Sequence, residues 1–351
     1  MDSILIRAPN WIGDCIISLP VVKEIRRLYP DARLAILARA WVSDIYRAGA
    51  AADEVISIDP NDDDRTGGML RLCRNLSRRN FDCTLLLPNA FRSAVIAWLS
   101  RIPLRIGYNT DHRGFLLTCS LPVRREALTL HQSFYYLDLL TQSGLSPVQY
   151  IGNGCYKPDV RLRLGGEDTK QAVDILERLG VSLLRPVIGI NPGAFYGPAK
   201  RWFPERYAAV ADYLVTRWNA QILILGSAGE SKIAREIQVS MKHAPVILTG
   251  STTLRELMGL IEHCDLFISN DSGPMHLAAA LQRPLIALFG STDERATGPL
   301  TPGAYVIHKQ VECTPCFLRT CPIDLRCFKK IEVQEVCKLA DDILQAEGGG
   351  H

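Results

Sequence analysis

The sequence predicts an α/β protein made of two similar domains, each with a parallel β-sheet covered by helices. Its 351 residues exceed the roughly 150 residues of an ordinary domain. Short β-branched or Leu-rich runs alternate with amphipathic stretches, a pattern typical of parallel strands joined by helices. The alternation lapses where Gly152, Gly154, Pro158, Gly165 and Gly166 punctuate the chain. We therefore predict the domain boundary there, at residues 164/165.

The first series of elements predicts a domain over residues 1–164. Each predicted strand is a short apolar run, and each predicted helix is an amphipathic stretch. In chain order they are strand Ile4–Arg7, helix Cys15–Tyr29, strand Leu34–Ala38, helix Val42–Ala48, strand Glu54–Ile58, helix Gly68–Arg79, strand Thr84–Leu87, helix Ser93–Ser100 and strand Arg105–Tyr108.

The second series predicts a domain over residues 165–330. The elements are helix Thr169–Leu179, strand Val187–Asn191, helix Glu205–Arg217, strand Gln221–Leu225, helix Glu230–Met241, strand Val246–Leu248, helix Leu254–Cys264, strand Leu266–Ser269, helix Pro274–Leu281 and strand Leu285–Phe289. A last helix within 331–347 is expected to pack back on the first domain.

Composition and charge narrow the classes of protein. With 47% apolar and 22% charged residues, disordered and collagen-like chains are excluded. No run approaches the ~18 apolar residues of a membrane span, and residues 1–10 lack signal-peptide features, which predicts a cytoplasmic protein. Net charge is only +3, yet the stretch Arg65–Arg125 holds eleven arginines against Asp82 and Asp111. Such a stretch suits a polyanionic partner, or it is an ordinary solvated surface.

Ligands of open α/β sheets bind beyond the carboxyl ends of the strands, so a cleft between the two domains is the expected active site. No G-x-G-x-x-G follows a strand and no P-loop motif occurs, which argues against a nicotinamide dehydrogenase or a P-loop NTPase. Asp14 follows the first strand at the mouth of a helix. It either caps that helix or is an oriented, ionised general base.

The second domain carries polar residues at a strand-to-helix turn, in the block Ser269–His276 (SNDSGPMH). Ser272 suits a helix N-cap, and Gly273 allows a ligand to approach the backbone, so the N–H groups of this helix start suit a phosphate. Asp271 is placed to accept sugar hydroxyls. His276 either adds a donor or is structural.

Three further turns follow strands of the second domain. The turn Asn191–Trp202 contains Lys200 and Arg201, which either neutralise phosphates or are surface charges. The next turn ends in Glu230, a candidate for binding a ribose or sugar. The last of the three turns contains Thr252.

Three blocks, WIGD at 11–14, NPGAFYGPAKRW at 191–202 and SNDSGPMH at 269–276, resemble glycosyltransferase family 9, the ADP-heptose:lipopolysaccharide heptosyltransferases, over nearly the whole chain. The resemblance implies a GT-B fold, with two Rossmann-like domains facing an interdomain cleft. It implies an acceptor-binding first domain and a nucleotide-sugar-binding second domain. The implied reaction is inverting transfer of heptose to the lipopolysaccharide inner core.

The resemblance also implies roles for individual residues. Asp14 matches the proposed base, Lys200 the contact to the donor phosphates, and Glu230 an acidic residue that holds the donor. The residues expected to line the ADP-heptose site are Asp271, Ser272, Gly273 and His276, with Thr252 grouped beside them. The helix start and Lys200 supply countercharge to the leaving diphosphate, so no cofactor or divalent ion is expected for catalysis.

The implied acceptor is an acidic, lipid-linked core oligosaccharide, which gives the Arg-rich stretch a use. We therefore expect peripheral contact with the inner face of the inner membrane and no nucleic-acid partner. Two alternatives remain open. A sugar-nucleotide 2-epimerase has the same two-domain plan, and a nucleic-acid-binding protein would use the arginines while leaving the strand-end turns unexplained.

Two further patterns concern metals. Cys313, Cys316, Cys321 and Cys327 have spacings compatible with a structural zinc site, with free thiols, disulfides or an iron–sulfur cluster as alternatives. The D-x-D pattern at Asp62–Asp64 is interpreted as a solvated acidic loop.

Overall fold

Two compact units make up the chain in the computed structural model, Met1–Leu162 and Arg163–His351. The structure describes residues 1–49, 51–59, 66–152 and 154–348. The division falls close to the predicted boundary at 164/165 and inside the Gly- and Pro-punctuated region that predicted it. The acidic pattern at Asp62–Asp64 lies outside the described residues.

The first unit is a six-stranded parallel sheet in the order β3-β2-β1-β4-β5-β6. Because β1 pairs with both β2 and β4, the strand order reverses at β1, and ligands of such sheets bind beside this reversal. All five residues of β1 are buried. The strands are β1 (Ser3–Arg7), β2 (Arg33–Arg39), β3 (Glu54–Ile58), β4 (Cys83–Leu86), β5 (Leu104–Tyr108) and β6 (Cys119–Leu121), and the helices are α1 (Ile12–Leu28), α2 (Ser43–Gly49), α3 (Thr66–Ser77), α4 (Phe91–Leu99), α5 (Arg125–Thr129) and α6 (Gln132–Gln142).

The second unit repeats this plan with the order β12-β11-β10-β7-β8-β9, again all parallel. Here the reversal lies at β7 and β10, and the turns after these two strands carry two of the three sequence blocks. The strands are β7 (Val187–Asn191), β8 (Gln221–Ile224), β9 (Val246–Ile247), β10 (Leu266–Asn270), β11 (Leu285–Phe289) and β12 (Ala304–His308), and the helices are α7 (Gly166–Arg178), α8 (Pro204–Trp218), α9 (Ser231–Ser240), α10 (Leu254–Glu262), α11 (Gly273–Ala280), α12 (Glu294–Thr297), α13 (Arg326–Lys329) and α14 (Val333–Gly348).

The last helix, α14, packs into the core of the second unit, which corrects the expectation that it packs on the first. Its apolar stripe, including Val336, Ala340 and Ile343, is buried in the same cluster as residues of α8. The Asp341 carboxylate accepts hydrogen bonds from the Tyr213 hydroxyl at 2.5 Å and the Trp218 indole at 2.7 Å. The helix therefore contacts α8 through its apolar stripe and through the hydrogen bonds of Asp341.

Several elements were not predicted from the sequence: the outermost strand on one side of each sheet, β6 and β12, and helices α5, α6, α12 and α13. β6 has only three residues, too few for a periodic pattern. α6 has seven buried residues, including Ser133 and Asp138, so its sequence lacks a clear polar face. Within the described residues, no helix combines the length and apolar character needed to span a membrane.

Candidate functional site

The ligand edge of the first unit contains the turn between β1 and α1. Trp11 occupies the N-cap position of α1 without a side-chain capping bond, and Asp14 lies in the first turn. Asp14 is the third helical residue, so it does not occupy the N-cap position itself. The helix N-terminus favours the charged form of a carboxylate placed there. Asp14 is partly exposed, as a group that accepts a proton from a substrate must be.

Two side chains from α6 flank Asp14. The Gln132 amide nitrogen lies 3.5 Å from an Asp14 carboxylate oxygen, at the outer limit of a hydrogen bond. Burial raises the pKa of the Tyr136 hydroxyl well above its ordinary value, and the Asp14 charge adds to that shift. Burial also raises the pKa of the neighbouring Cys15 thiol to about 12. Both groups therefore stay protonated at neutral pH.

A buried arginine holds the turns after β4 and β5. Arg113 is fully buried, and its guanidinium donates to the Tyr108 carbonyl at 3.0 Å and to the Ser93 hydroxyl at 3.0 Å. Burial lowers the pKa of this guanidinium to about 10, so it remains charged at neutral pH. These bonds hold the backbone at the carboxyl ends of β4 and β5, although Nη2 of the buried guanidinium has no hydrogen-bond partner among the described residues.

In the second unit, the β7–α8 loop (192–203) is fastened by the last residue of β10. Asn270 is fully buried. Its side-chain oxygen accepts bonds from the Trp202 backbone N–H at 3.1 Å and the Tyr207 hydroxyl at 2.9 Å. Its side-chain nitrogen donates to the Pro192 and Gly193 carbonyls at 2.7 and 3.3 Å. One amide therefore fixes both ends of the loop that carries Lys200.

We expect Asn270→Ala to lower the free energy of unfolding by about 3 kcal/mol, because it leaves buried donors and acceptors without partners. Tyr207→Phe removes one of these bonds and serves as the matched control, with an expected loss of about 1 kcal/mol. Urea denaturation of the three proteins checks both values. Equal stability of Asn270→Ala and the wild type would contradict the fastening role.

Lys200 and Asp271 form a largely buried ion pair. The ammonium of Lys200 contacts the Asp271 carboxylate, and their side chains are 13% and 5% exposed. The same carboxylate oxygen accepts a bond from the Thr292 hydroxyl at 2.6 Å. In this arrangement Asp271 orients Lys200 at the edge of the sheet through one of its two carboxylate oxygens, Oδ2.

The start of α11 has its backbone N–H groups uncapped by a side chain. Ser272 is the N-cap residue, as predicted, but makes no capping bond. Its hydroxyl donates instead to the Asn191 side-chain oxygen at 2.9 Å, and Asn191 donates to the Leu225 carbonyl at 3.0 Å. The N–H groups from Gly273 onward thus keep the character of an anion-binding helix terminus.

The Glu230 carboxylate lies against Gly193 and Gly226, two glycines in neighbouring turns. One carboxylate oxygen accepts bonds from the Ser227 N–H at 2.7 Å and hydroxyl at 2.8 Å. The other is so close to Gly193 that a Cβ there would be 1.6 Å away. Gly193 must therefore lack a side chain for Glu230 to reach the β7–α8 loop.

The two remaining predicted donor residues, His276 and Thr252, differ in their exposure. His276 is buried in the first turn of α11, at 5% exposure. Thr252 is partly exposed and lies immediately before Thr253, which caps α10 through a capping box with Glu256. The structure therefore brings the predicted donor residues to the carboxyl ends of β7, β8, β9 and β10, on one edge of one sheet.

The four clustered cysteines, the candidate structural zinc site, are all free thiols. Among the residues that the structure describes, no group of three or more His, Cys, Asp or Glu side chains is arranged to hold a metal ion. Cys313 is exposed, Cys316 and Cys321 are partly exposed, and Cys327 is buried on α13. Burial raises the pKa of the Cys327 thiol, and the nearby Cys313 and Cys321 thiols add to that shift. The structural zinc site therefore stays a prediction.

Comparison with known proteins identifies the family. The sequence profile of glycosyltransferase family 9 (heptosyltransferase) matches residues 69–326. This chain belongs to that family. It is 30% identical to the lipopolysaccharide heptosyltransferase 2 of Salmonella typhimurium strain LT2, over 87% of this chain and 87% of that protein. The lipopolysaccharide heptosyltransferase 2 of Escherichia coli K12 matches with the same identity and coverage.

A solved structure also resembles this family 9 glycosyltransferase. The E. coli ADP-heptose lps heptosyltransferase II aligns with a TM-score of 0.84 and 29% identity, over 99% of this chain and 100% of that chain. The GT-B fold implied by the sequence blocks is thereby confirmed.

Sequence reasoning missed several residues that shape the edges of this family 9 enzyme. Asn191 and Asn270 end buried strands and stand inside the recognised blocks, so an Asn at a strand's carboxyl end was the available signal. Gln132 and Tyr136 lie on α6, which was not predicted. Thr292 follows β11 without any local pattern to mark it.

Proposed function

We propose that this glycosyltransferase, a heptosyltransferase II by type, moves a heptose from ADP-L-glycero-D-manno-heptose to a heptose of the lipopolysaccharide inner core. The observation that carries the proposal is the convergence of Lys200, Glu230 and the start of α11 at one sheet edge. Two family relatives named for this activity support it.

In the proposed reaction, the second unit holds the donor. The N–H groups at the start of α11 and the Lys200 ammonium stabilise the charge that develops on the leaving diphosphate. Glu230 accepts a hydrogen bond from a hydroxyl of the donor sugar, because its carboxylate oxygen next to Gly193 accepts no hydrogen bond from the described residues. Thr252, Asp271 and His276 complete the donor pocket, with Asp271 acting through Lys200.

Asp14 is the proposed base. It removes the proton from an acceptor heptose hydroxyl as that oxygen forms a bond to the anomeric carbon of the donor. The bond from this carbon to the phosphate oxygen breaks at the same time, and ADP leaves with the electron pair. Attack from the face opposite ADP inverts the anomeric configuration, and no covalent enzyme intermediate forms.

The release of ADP tests this reaction class. We expect release from ADP-heptose to require a heptose-bearing acceptor and to proceed in EDTA, since the charge of the leaving group is met by protein groups. A 2-epimerase, which family membership does not favour, would instead act on the nucleotide sugar alone. Acceptor-independent turnover would therefore contradict the proposal.

We further propose that the enzyme works in the cytoplasm at the inner face of the inner membrane, on an acidic lipid-linked acceptor. The outer face of α3 supports this, because Arg71, Arg74 and Arg78 line an open concavity of about 620 Å³. On the neighbouring α4, Trp98 is 52% exposed. Clustered arginines with an exposed indole suit an anionic membrane surface.

We expect the double variant Arg74→Gln/Arg78→Gln to bind phosphatidylglycerol vesicles roughly 30-fold more weakly, at about 1 kcal/mol per arginine. The control Arg217→Gln/Arg235→Gln removes the same charge from the second unit and should bind like the wild type. Vesicle sedimentation at two salt concentrations measures this. Equal loss in both variants would indicate a general charge effect, and tighter binding to duplex DNA than to vesicles would favour the nucleic-acid alternative.

A further inference from the structure

The cysteine-rich segment (313–327) lies on the β7–α8 loop. The Arg319 carbonyl accepts a bond from the Ala199 backbone N–H at 3.0 Å, and the Phe317 N–H donates to the Ser291 carbonyl at 2.8 Å. The Phe317 carbonyl accepts from the Tyr196 hydroxyl at 2.6 Å. These three bonds join the segment to both the Lys200-bearing loop and the end of β11.

Gly197 shows how closely the two backbones approach. A Cβ at Gly197 would lie 2.3 Å from the Arg319 carbonyl oxygen, so any side chain there would displace the segment. The backbone of Arg319 is therefore held against the loop, and only its side chain can change conformation.

The Arg319 guanidinium and the Lys200 ammonium share one aromatic neighbour. The Arg319 guanidinium carbon lies 5.3 Å from the centroid of the Tyr196 ring, and Lys200 Nζ lies 4.9 Å from the same centroid. The two cationic groups are therefore at most about 10 Å apart. Both distances fall within the usual range for a cation over an aromatic face.

The two cations differ in their charge balance. Lys200 is paired with the buried Asp271 carboxylate, which offsets part of its charge toward an incoming anion. Arg319 is exposed and contacts the Tyr196 ring. Among the described residues, no carboxylate lies within ion-pair distance of it. Of the two cations that share the Tyr196 ring, Lys200 thus has a carboxylate partner, and Arg319 has none among the described residues.

We propose that Arg319 is a second cation for the donor diphosphate, presented by the cysteine-rich segment beside Lys200. A guanidinium donates through a planar fork that fits phosphate oxygens in a bidentate manner. Stacking on Tyr196 restricts the long side chain before the donor arrives, which reduces the entropy lost on binding. This inference rests on the proposed function and gives the cysteine-rich segment a role in donor binding that needs no metal.

The test compares Arg319→Gln, Arg319→Lys and the control Arg217→Gln. Arg217 is also an exposed arginine stacked on an aromatic ring, 5.7 Å from the Trp218 centroid, but it lies at the carboxyl end of α8, away from the donor edge. Calorimetric titration with ADP, AMP and adenosine measures affinity. We expect Arg319→Gln to weaken ADP roughly tenfold, and AMP less, with adenosine unchanged.

The other variants and the kinetics complete the test. Arg319→Lys should recover part of the ADP affinity, because it keeps the charge and loses the fork, whereas Arg217→Gln should match the wild type. The KM for ADP-heptose should rise in Arg319→Gln. Wild-type ADP affinity in Arg319→Gln and in Arg319→Lys would overturn the inference while leaving the proposed function intact. Failure of the wild type to bind ADP would instead overturn the proposed function.

A purely structural role for Arg319 has a different signature. It would lower adenosine and ADP affinity alike and shift the thermal unfolding midpoint in both variants at position 319. That result also overturns the inference.

Discussion

Replacing Asp14 by asparagine is expected to slow heptose transfer by about 10² to 10⁴-fold, because the amide cannot take the proton of the acceptor hydroxyl. The affinity for ADP should stay within about two-fold of the wild type, since the donor residues belong to the second unit and Asp14 to the first. Asparagine has nearly the same shape, so the contacts of Asp14 with α6 are retained. Single-turnover transfer rates and calorimetric ADP titration measure the two quantities.

Asp44→Asn is the matched control for this substitution. Asp44 also lies in the first turn of a helix of the same unit, where it pairs with Arg47 at 2.7 Å, and it faces no proposed substrate. We expect this variant to transfer at the wild-type rate. Unchanged turnover in Asp14→Asn would remove Asp14 from the role of base.

Lys200→Ala is expected to raise the KM for ADP-heptose by about tenfold or more and to destabilise the fold. The phosphate loses a charge-assisted contact. The buried Asp271 carboxylate loses its cation, which costs about 3 kcal/mol in the free energy of unfolding. Donor kinetics and urea denaturation measure the two effects, with the exposed Lys232→Ala on α9 as a control.

The double variant Lys200→Ala/Asp271→Asn separates the two effects. Removing the stranded carboxylate should restore most of the stability, because no unpaired buried charge remains. The KM for ADP-heptose should stay high, because the cation is still missing. A wild-type KM and turnover in the double variant would show that Lys200 does not contact the donor phosphates.

Long, strongly patterned elements could be predicted from the sequence, and short or uniformly buried ones could not. Strands Glu54–Ile58, Val187–Asn191 and Leu285–Phe289 have the predicted bounds, because each is a compact apolar run between polar turns. β6 is too short to show a period, and α6 carries polar residues on its buried side. The helix whose side chains flank Asp14 was therefore missed.

The donor edge could be located from the sequence, but its internal contacts could not. The blocks at 191–202 and 269–276 follow strands, and parallel strands end at one edge, so their residues had to meet there. No local pattern indicates that Asp271 pairs with Lys200, that Asn270 fastens the loop, or that Glu230 lies over Gly193. Such pairings depend on strand order, here β10 beside β7.

A local pattern also does not say which surface an element packs on, as the last helix shows. The spacing of the thiols likewise does not determine the depth of each side chain: Cys327 is buried on α13, whereas Cys313 is exposed. The last helix has an apolar stripe that any complementary surface could bury, and in this structure the stripe packs against α8.

The most direct test of the central claim is intact-mass spectrometry of a heptose-bearing lipopolysaccharide core acceptor after incubation with ADP-heptose and the wild-type protein. We expect the acceptor to gain the mass of one heptose and one ADP to be released for each sugar transferred. An acceptor of unchanged mass, alongside a nucleotide sugar converted to its epimer, would contradict the central claim.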